Sequence, residues 1–281
     1  MPHSPFANHH SPGAKPHSHT HEAQSASCFV PLYEAKIVHH FNHRYGDYRY
    51  LPKGSKSIQL PEVPSERLND PNYPTLPRYW VALEAVEERL KDKWDKGWLM
   101  GWRRNSRSTD DRSFIVSLFP CHAIGDSLFL FLTSLTSHIM NLHANLSTFI
   151  FDYIVRQKLG GTNNNFFIVK QLPVLPPSTY TSPTPWDKDY TLSEWLLPRV
   201  LELTYTSWDL KPFAEDCGYD GPPFEWNDER RFFLRCELDA AFFHLYLGTQ
   251  KEWEENATQE LLDFFPHPAM QYPTSWRPFP L

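Results

Sequence analysis

Paired cysteines are missing from this chain. Its four cysteines (Cys28, Cys121, Cys217 and Cys236) sit far apart in 281 residues and form no CxxC pair. That excludes a zinc ribbon and gives no sign of a disulfide scaffold, which depends on closely spaced cysteines in a short chain. Glycine is scarce, 11 residues in all. No GxGxxG, P-loop or GxSxG motif occurs, so dinucleotide, nucleotide and serine-hydrolase sites lack their sequence basis. Long apolar runs are also missing. The longest, Leu128 to Leu132, follows Asp126 and is far too short to span a bilayer. No apolar segment of signal-peptide type opens the chain, so the reading is a cytoplasmic protein of a reducing compartment with no membrane partner.

Hydrophobic residues make up 41% and aromatics 15%, enough for a real core in one large domain or two smaller ones. Proline is abundant at 26 residues. With so little glycine, this predicts packed elements joined by stiff connections. The net charge of -6 gives no general affinity for polyanions, but it hides an asymmetry. Residues 99–170 carry seven basic side chains against four acids, and residues 199–263 carry six against fifteen. An anionic ligand would favour the first region, although both also read as ordinary solvated faces.

Five segments follow from composition. Residues 1–28 hold histidine, proline and serine with almost no large apolar side chains, the signature of a disordered leader. His17, His19 and His21 within it offer at most adventitious metal binding. Residues 29–96 read as a helical and Pro-rich lead-in. Leu32, Ala35, Ile37, Val38 and Phe41 predict a short amphipathic helix, and residues 80–94 predict a second. That first helix would bring His39 and His43 onto one face as a solvated, partly stacked cluster without enough further ligands for a metal.

Residues 97–178 form an α+β core. Trp98–Trp102 and Phe114–Phe119 predict strands around the polar stretch Arg103 to Arg112. Residues 127–159 predict two helices meeting near Asn145, the second burying Phe149, Ile150, Tyr153 and Ile154 and stopping at Gly160-Gly161. Phe166–Val169 reads as a strand. Residues 179–265 read as mainly helical, with Asn227 or Asp228 capping a long helix that ends at Gly248. Thr249 and Glu252 would cap another helix to about Phe264, before an irregular Pro-rich tail at 266–281. The fold class expected is therefore α+β: a small mixed sheet with packed helices, followed by a mainly helical C-terminal part.

Gly221-Pro222-Pro223-Phe224 is a near miss to the adenine-methyltransferase catalytic loop, where Asn, Asp or Ser precedes Pro-Pro-aromatic. Glycine has no side chain to accept a hydrogen bond from an adenine amino group, so the tetrapeptide reads as a turn between helices. A broader likeness runs through Phe151-Asp152-Tyr153-Ile154-Val155-Arg156-Gln157-Lys158-Leu159-Gly160-Gly161-Thr162 and Phe166–Pro177 with its Gln171-Leu172-Pro173 exit. Leu32–Lys36 with Phe41–Arg44, Gly101–Arg103 through Arg112-Ser113, and Gly218–Phe224 with Glu229–Arg231 extend it. Together they resemble the C-terminal target-recognition region of large adenine-specific DNA methyltransferases. These are the type IIG restriction–modification enzymes and the DISARM- or BREX-like phage-defence methylases. The likeness covers roughly residues 29–265.

The resemblance implies a DNA sequence-recognition fragment that is no enzyme by itself, lacking the catalytic and S-adenosylmethionine motifs. No cofactor would bind this chain, and S-adenosylmethionine would belong to a catalytic partner chain or a full-length relative. Double-stranded DNA would be the ligand. The ends look like those of a split or truncated gene. Alternatives are a scaffold in a defence complex that does not bind DNA, or a gene remnant. Arg103, Arg107 and Arg112 are fork-shaped donors suited to guanine edges or phosphates. Arg104 stands where the family has an acid, so base contacts there would have diverged. Thr162, Asn163 and Asn164, in the turn beside Arg156, Lys158 and Lys170, suit phosphates. Asp152 and Arg156, four apart on one helix, could equally pair with each other.

Overall fold

A computed structural model describes residues 28–55, 59–106 and 110–248. The histidine-rich leader, Arg107, the Thr249–Glu252 capping box and the Pro-rich tail lie outside the described residues. In chain order the elements are β1 (Phe29–Tyr33), α1 (Ser65–Leu68), β2 (Trp80–Ala82), α2 (Leu83–Leu90), β3 (Trp98–Arg103), β4 (Val116–Pro120), β5 (Ala123–Ile124) and β6 (Leu128–Phe131). After them come α3 (Ile139–Leu146), α4 (Phe149–Lys158), α5 (Phe166–Val169), α6 (Pro177–Tyr180), α7 (Leu192–Thr204), α8 (Lys211–Asp216) and α9 (Asp228–Leu247). This is an α+β chain with a mainly helical C-terminal part. No helix among the described residues is long and apolar enough to cross a membrane.

Among the described residues the strands make two three-stranded sheets. One is mixed: β1 runs antiparallel to β2 and parallel to β5. The other is antiparallel, with β3 between β4 and β6. Successive side chains of a strand point to opposite faces, so a nearly unbroken apolar strand implies cover on both sides. That holds at β3. Trp98, Met100 and Trp102 face the large core shared with Val116, Leu118 and the helices. Leu99, with Phe119 and Leu128, faces a smaller cluster built on Tyr33, Ile37 and Val38. Gly101 is required at the centre, because a Cβ there would run into the carbonyl oxygen of Phe129 on β6.

The large core collects Phe41, the β3–β4 face, α3, α4, α7 and α9, so it crosses the boundaries suggested by composition at 96–97 and 178–179. Two helices show why they begin where they do. Thr191 and Glu194 form a reciprocal capping box at α7. The Asn227 side chain accepts the Arg230 N–H at the head of α9, and Gly248 ends that helix at φ 77°.

Several expectations need correction. Leu32–Phe41 is not a helix. The chain there is β1, one 3-10 turn at Ala35–Ile37, and a tight bridge between His39 and Asn42. Pairing with β2 and β5 outweighs a spacing that fits a helix only by coincidence. Phe166–Val169 is one helical turn rather than a strand; a short apolar run does not distinguish the two. Residues 128–131 are strand, whereas the two helices that follow meet at Ser147-Thr148, close to the expected junction near Asn145. On α4 the buried residues are Ile150, Phe151, Asp152 and Val155, while Phe149 and Tyr153 are exposed. Neither Gly160 nor Gly161 has the positive φ of a left-handed cap, so α4 ends at an extended Leu159. The Gly221–Phe224 stretch does lie between two helices, α8 and α9.

Candidate functional site

The two stretches expected to contact DNA are separated by about fifty residues of chain and are brought together by backbone pairing. The exit of β3 meets the turn after α4: Asn105 bridges Asn163, the Ser106 N–H donates to the Thr162 carbonyl (3.0 Å), and the Asn164 N–H donates to the Arg104 carbonyl (2.7 Å). The Asn105 Nδ2 reaches the Asn163 Oδ1 at 2.8 Å. Asn164 is fully buried beneath this seam. Its side-chain amide nitrogen donates to Ser106 Oγ and to the Ser113 carbonyl, both at 2.8 Å, and its main-chain carbonyl accepts the Trp102 indole N–H. It is a structural clasp, not a surface contact.

The arginines divide sharply. Arg103 turns inward, donating Nε and Nη2 to the Val38 carbonyl with its guanidinium over the Tyr45 ring. Burial lowers its pKa to about 10. Arg112 donates to the Ser147 carbonyl, lies 3.7 Å from the Asp152 carboxylate and sits over the Phe149 ring. Arg156 pairs with Asp152 at 2.9 Å and donates to the carbonyls of Asp110 and Asp111. The local i,i+4 pairing is thus realised, and it also ties the 104–112 loop to α4. Arg104 is partly exposed, paired with Asp126 at 3.3 Å and lying over Phe129. Lys158, Thr162 and Lys170 are exposed, and Asn163 is half-buried. The surface face of the seam is therefore narrower than the sequence suggested.

Asp152 organises this corner. Its Oδ1 accepts the N–H groups of Ser113 and Phe114 at 2.7 and 2.8 Å, while Oδ2 takes Arg156. A carboxylate holding two buried amides and two guanidinium groups is fully satisfied, which explains an acid inside the core-facing side of α4.

Sequence reasoning missed a second feature. A crevice of about 250 Å³ opens between the 39–41 turn, the α3–α4 junction and α9, with Asp111 and Arg112 on its wall. His39 and His40 line it. Their rings lie 5.5 Å apart, edge to face, and His39 also packs on Tyr45. This pair is stacked as expected, but His40 is buried and His39 half-buried rather than solvated. Burial, with Arg103 and Arg112 nearby, lowers the His39 pKa to about 3 and holds His40 well below its usual value. Burial pushes Asp239, at the same crevice, up to about 6. Phe41 at φ 56° makes the sharp turn that parts His40 from His43. Adjacent histidines were visible in the sequence, but a helical reading put them on the wrong surface.

His43 points elsewhere. Its Nε2 lies 3.0 Å from Asp209 and 3.1 Å from Ser207 Oγ, and that hydroxyl donates to Asp209 as well. One nitrogen serves both neighbours, so the group lacks the two-sided imidazole that a nucleophilic relay requires. Among the described residues no group of three or more His, Cys, Asp or Glu side chains is placed to hold a metal ion.

No family model, no curated protein and no solved structure matches the chain. Its functional reading therefore rests on the sequence motifs and on the geometry above.

Proposed function

We propose that this chain is the DNA sequence-recognition fragment of an adenine-N6 DNA methyltransferase, contacting duplex DNA through the seam between the β3 exit loop and the turn after α4. The carrying observation is the backbone pairing of Asn105 with Asn163, which fuses two distant motif-bearing stretches into one surface. Exposed Lys158, Thr162 and Lys170, with Arg104 and Asn163, supply cations and short polar side chains suited to phosphates. Arg103, Arg112, Arg156 and Asn164 serve as the frame that holds that surface. S-adenosylmethionine and the catalytic loop would come from a partner chain.

The test is fluorescence anisotropy with random-sequence duplex DNA at about 50 and about 200 mM salt. Binding should weaken steeply with salt. Lys158→Ala with Lys170→Ala should cut the slope of log K against log salt by about 2, since each phosphate contact releases roughly one counterion. A folded chain showing no salt-dependent binding overturns the reading.

A second reading, an interaction module that does not bind DNA, draws on a different observation. Phe29 and Trp80 lie on one face of the β1–β2 pair, each more than half exposed, and β2 is a sheet edge. It gains if DNA binding is absent.

A further inference from the structure

The crevice beside His40 combines three properties that together specify a ligand. The first is unmet hydrogen bonding. His40 is only 6% exposed and neither ring nitrogen has a partner; Ser147 Oγ, on the same wall, also lacks a hydrogen bond. An unsatisfied buried polar group costs about 1–3 kcal/mol, so such a concentration is costly unless something else meets it. A neutral imidazole has one donor and one acceptor, and a serine hydroxyl offers both. The unmet groups therefore call for a partner with donors and acceptors side by side.

The second property is charge balance. Arg112 and Arg235 are set against Asp111 and Asp239 around the opening, and both histidines are neutral. A bare anion gains little from such a site. The third is shape. At about 250 Å³ the space lies just below the roughly 300–1,000 Å³ typical of pockets for drug-sized ligands, too small for a dinucleotide or a whole cofactor. Phe149 and Phe232, each more than half exposed, stand among its lining residues, and Phe41 and Leu238 make apolar wall deeper in.

We propose that this crevice binds a planar nitrogen heterocycle of nucleobase size, its ring against Phe149 and Phe232 and its polar edge against His40 and Ser147. The assignment does not depend on the DNA-recognition reading, because a free nucleoside and an unpaired base in an oligonucleotide present the same edge. Isothermal titration calorimetry separates the two sources. One arm uses adenosine, guanosine, cytidine and thymidine individually; the other uses short duplexes carrying one unpaired base, against fully paired controls.

Saturable binding is expected in at least one arm, weakened about tenfold by Phe232→Ala, as removal of a stacking ring does. Phe232 is exposed, so this variant should keep the wild-type circular dichroism spectrum. Ser147→Ala should weaken binding of a nucleoside or unpaired-base duplex severalfold, while Lys158→Ala with Lys170→Ala should leave nucleoside binding unchanged. Nucleoside binding supports a free small-molecule ligand. Binding of unpaired-base duplexes alone supports the nucleic-acid source, provided Phe232→Ala removes the preference over paired controls. Heat-silent titrations in both arms with a folded protein overturn the proposal. So does binding indifferent to both Phe232→Ala and Ser147→Ala. Loss of paired-duplex binding in the lysine variant, with crevice binding intact, bears only on the DNA surface.

Discussion

Asp152 is the side chain on which most local order depends. It gathers two backbone amides from the start of the second core strand region and two guanidinium groups from separate segments. Asp152→Ala should destabilise the protein by about 3 kcal/mol, since it strands two buried amides and leaves Arg112 without its counter-ion. Urea unfolding checks this, and Asp152→Asn should fall between the variant and wild type. The Asp152–Arg156 pairing was legible in the sequence because it depends only on helical spacing. The partners of Arg103 and Arg112 were not. Their acceptors are the carbonyls of Val38 and Ser147, and no local pattern reveals which distant carbonyl a guanidinium will meet. Arg103 and Arg112 were therefore read as surface donors when they hold the frame.

At the scale of elements, the best-read features carried their own punctuation. Asn227 and Gly248 mark both ends of α9, and β3 and β4 stand out as aromatic and aliphatic runs around a polar insert. Elements defined by long-range pairing were misread. β1 exists because β2 and β5 flank it, and α5 is too short for its periodicity to show. The rotation of α4 is instructive: an apolar count favours Phe149 and Tyr153 inside, yet the amides of Ser113 and Phe114 pull Asp152 inward and carry the helix with it. Gly101, unremarkable in sequence, leaves no room for a Cβ beside the Phe129 carbonyl of β6. Gly101→Ala should cost about 2 kcal/mol by overpacking, read as a lowered Tm with the circular dichroism spectrum retained.

Across the whole molecule, buried histidines set the response to acid. His39 and His143 each have a pKa lowered to about 3 by burial, and His40 is also well below its ordinary value. The unfolded chain protonates these imidazoles near pH 6.5, so between about 3 and 6.5 it binds more protons than the folded one. Their contribution is present above pH 6.5 and lost as the pH falls. Asp239 acts oppositely: raised to about 6, it takes up a proton in the folded state before the unfolded state does, which favours folding as the pH drops towards 4. Thermal unfolding should therefore show a lower Tm at pH 5 than at pH 7. Asp239→Asn, which keeps an acceptor for the Phe149 N–H, should steepen that loss and raise Tm at pH 7.

The long-range attachment of α9 also bears on how the chain acquires its structure during synthesis. Arg231 donates to the carbonyls of Leu203 and Phe41, and Leu238 and Phe242 complete the core that Phe41 enters. Until residues near 240 have left the ribosome, the apolar faces of the central strands and of α4 lack a large part of their cover. The nascent polypeptide consequently spends most of its translation with aromatic surface exposed, in the window when chaperone binding competes with aggregation.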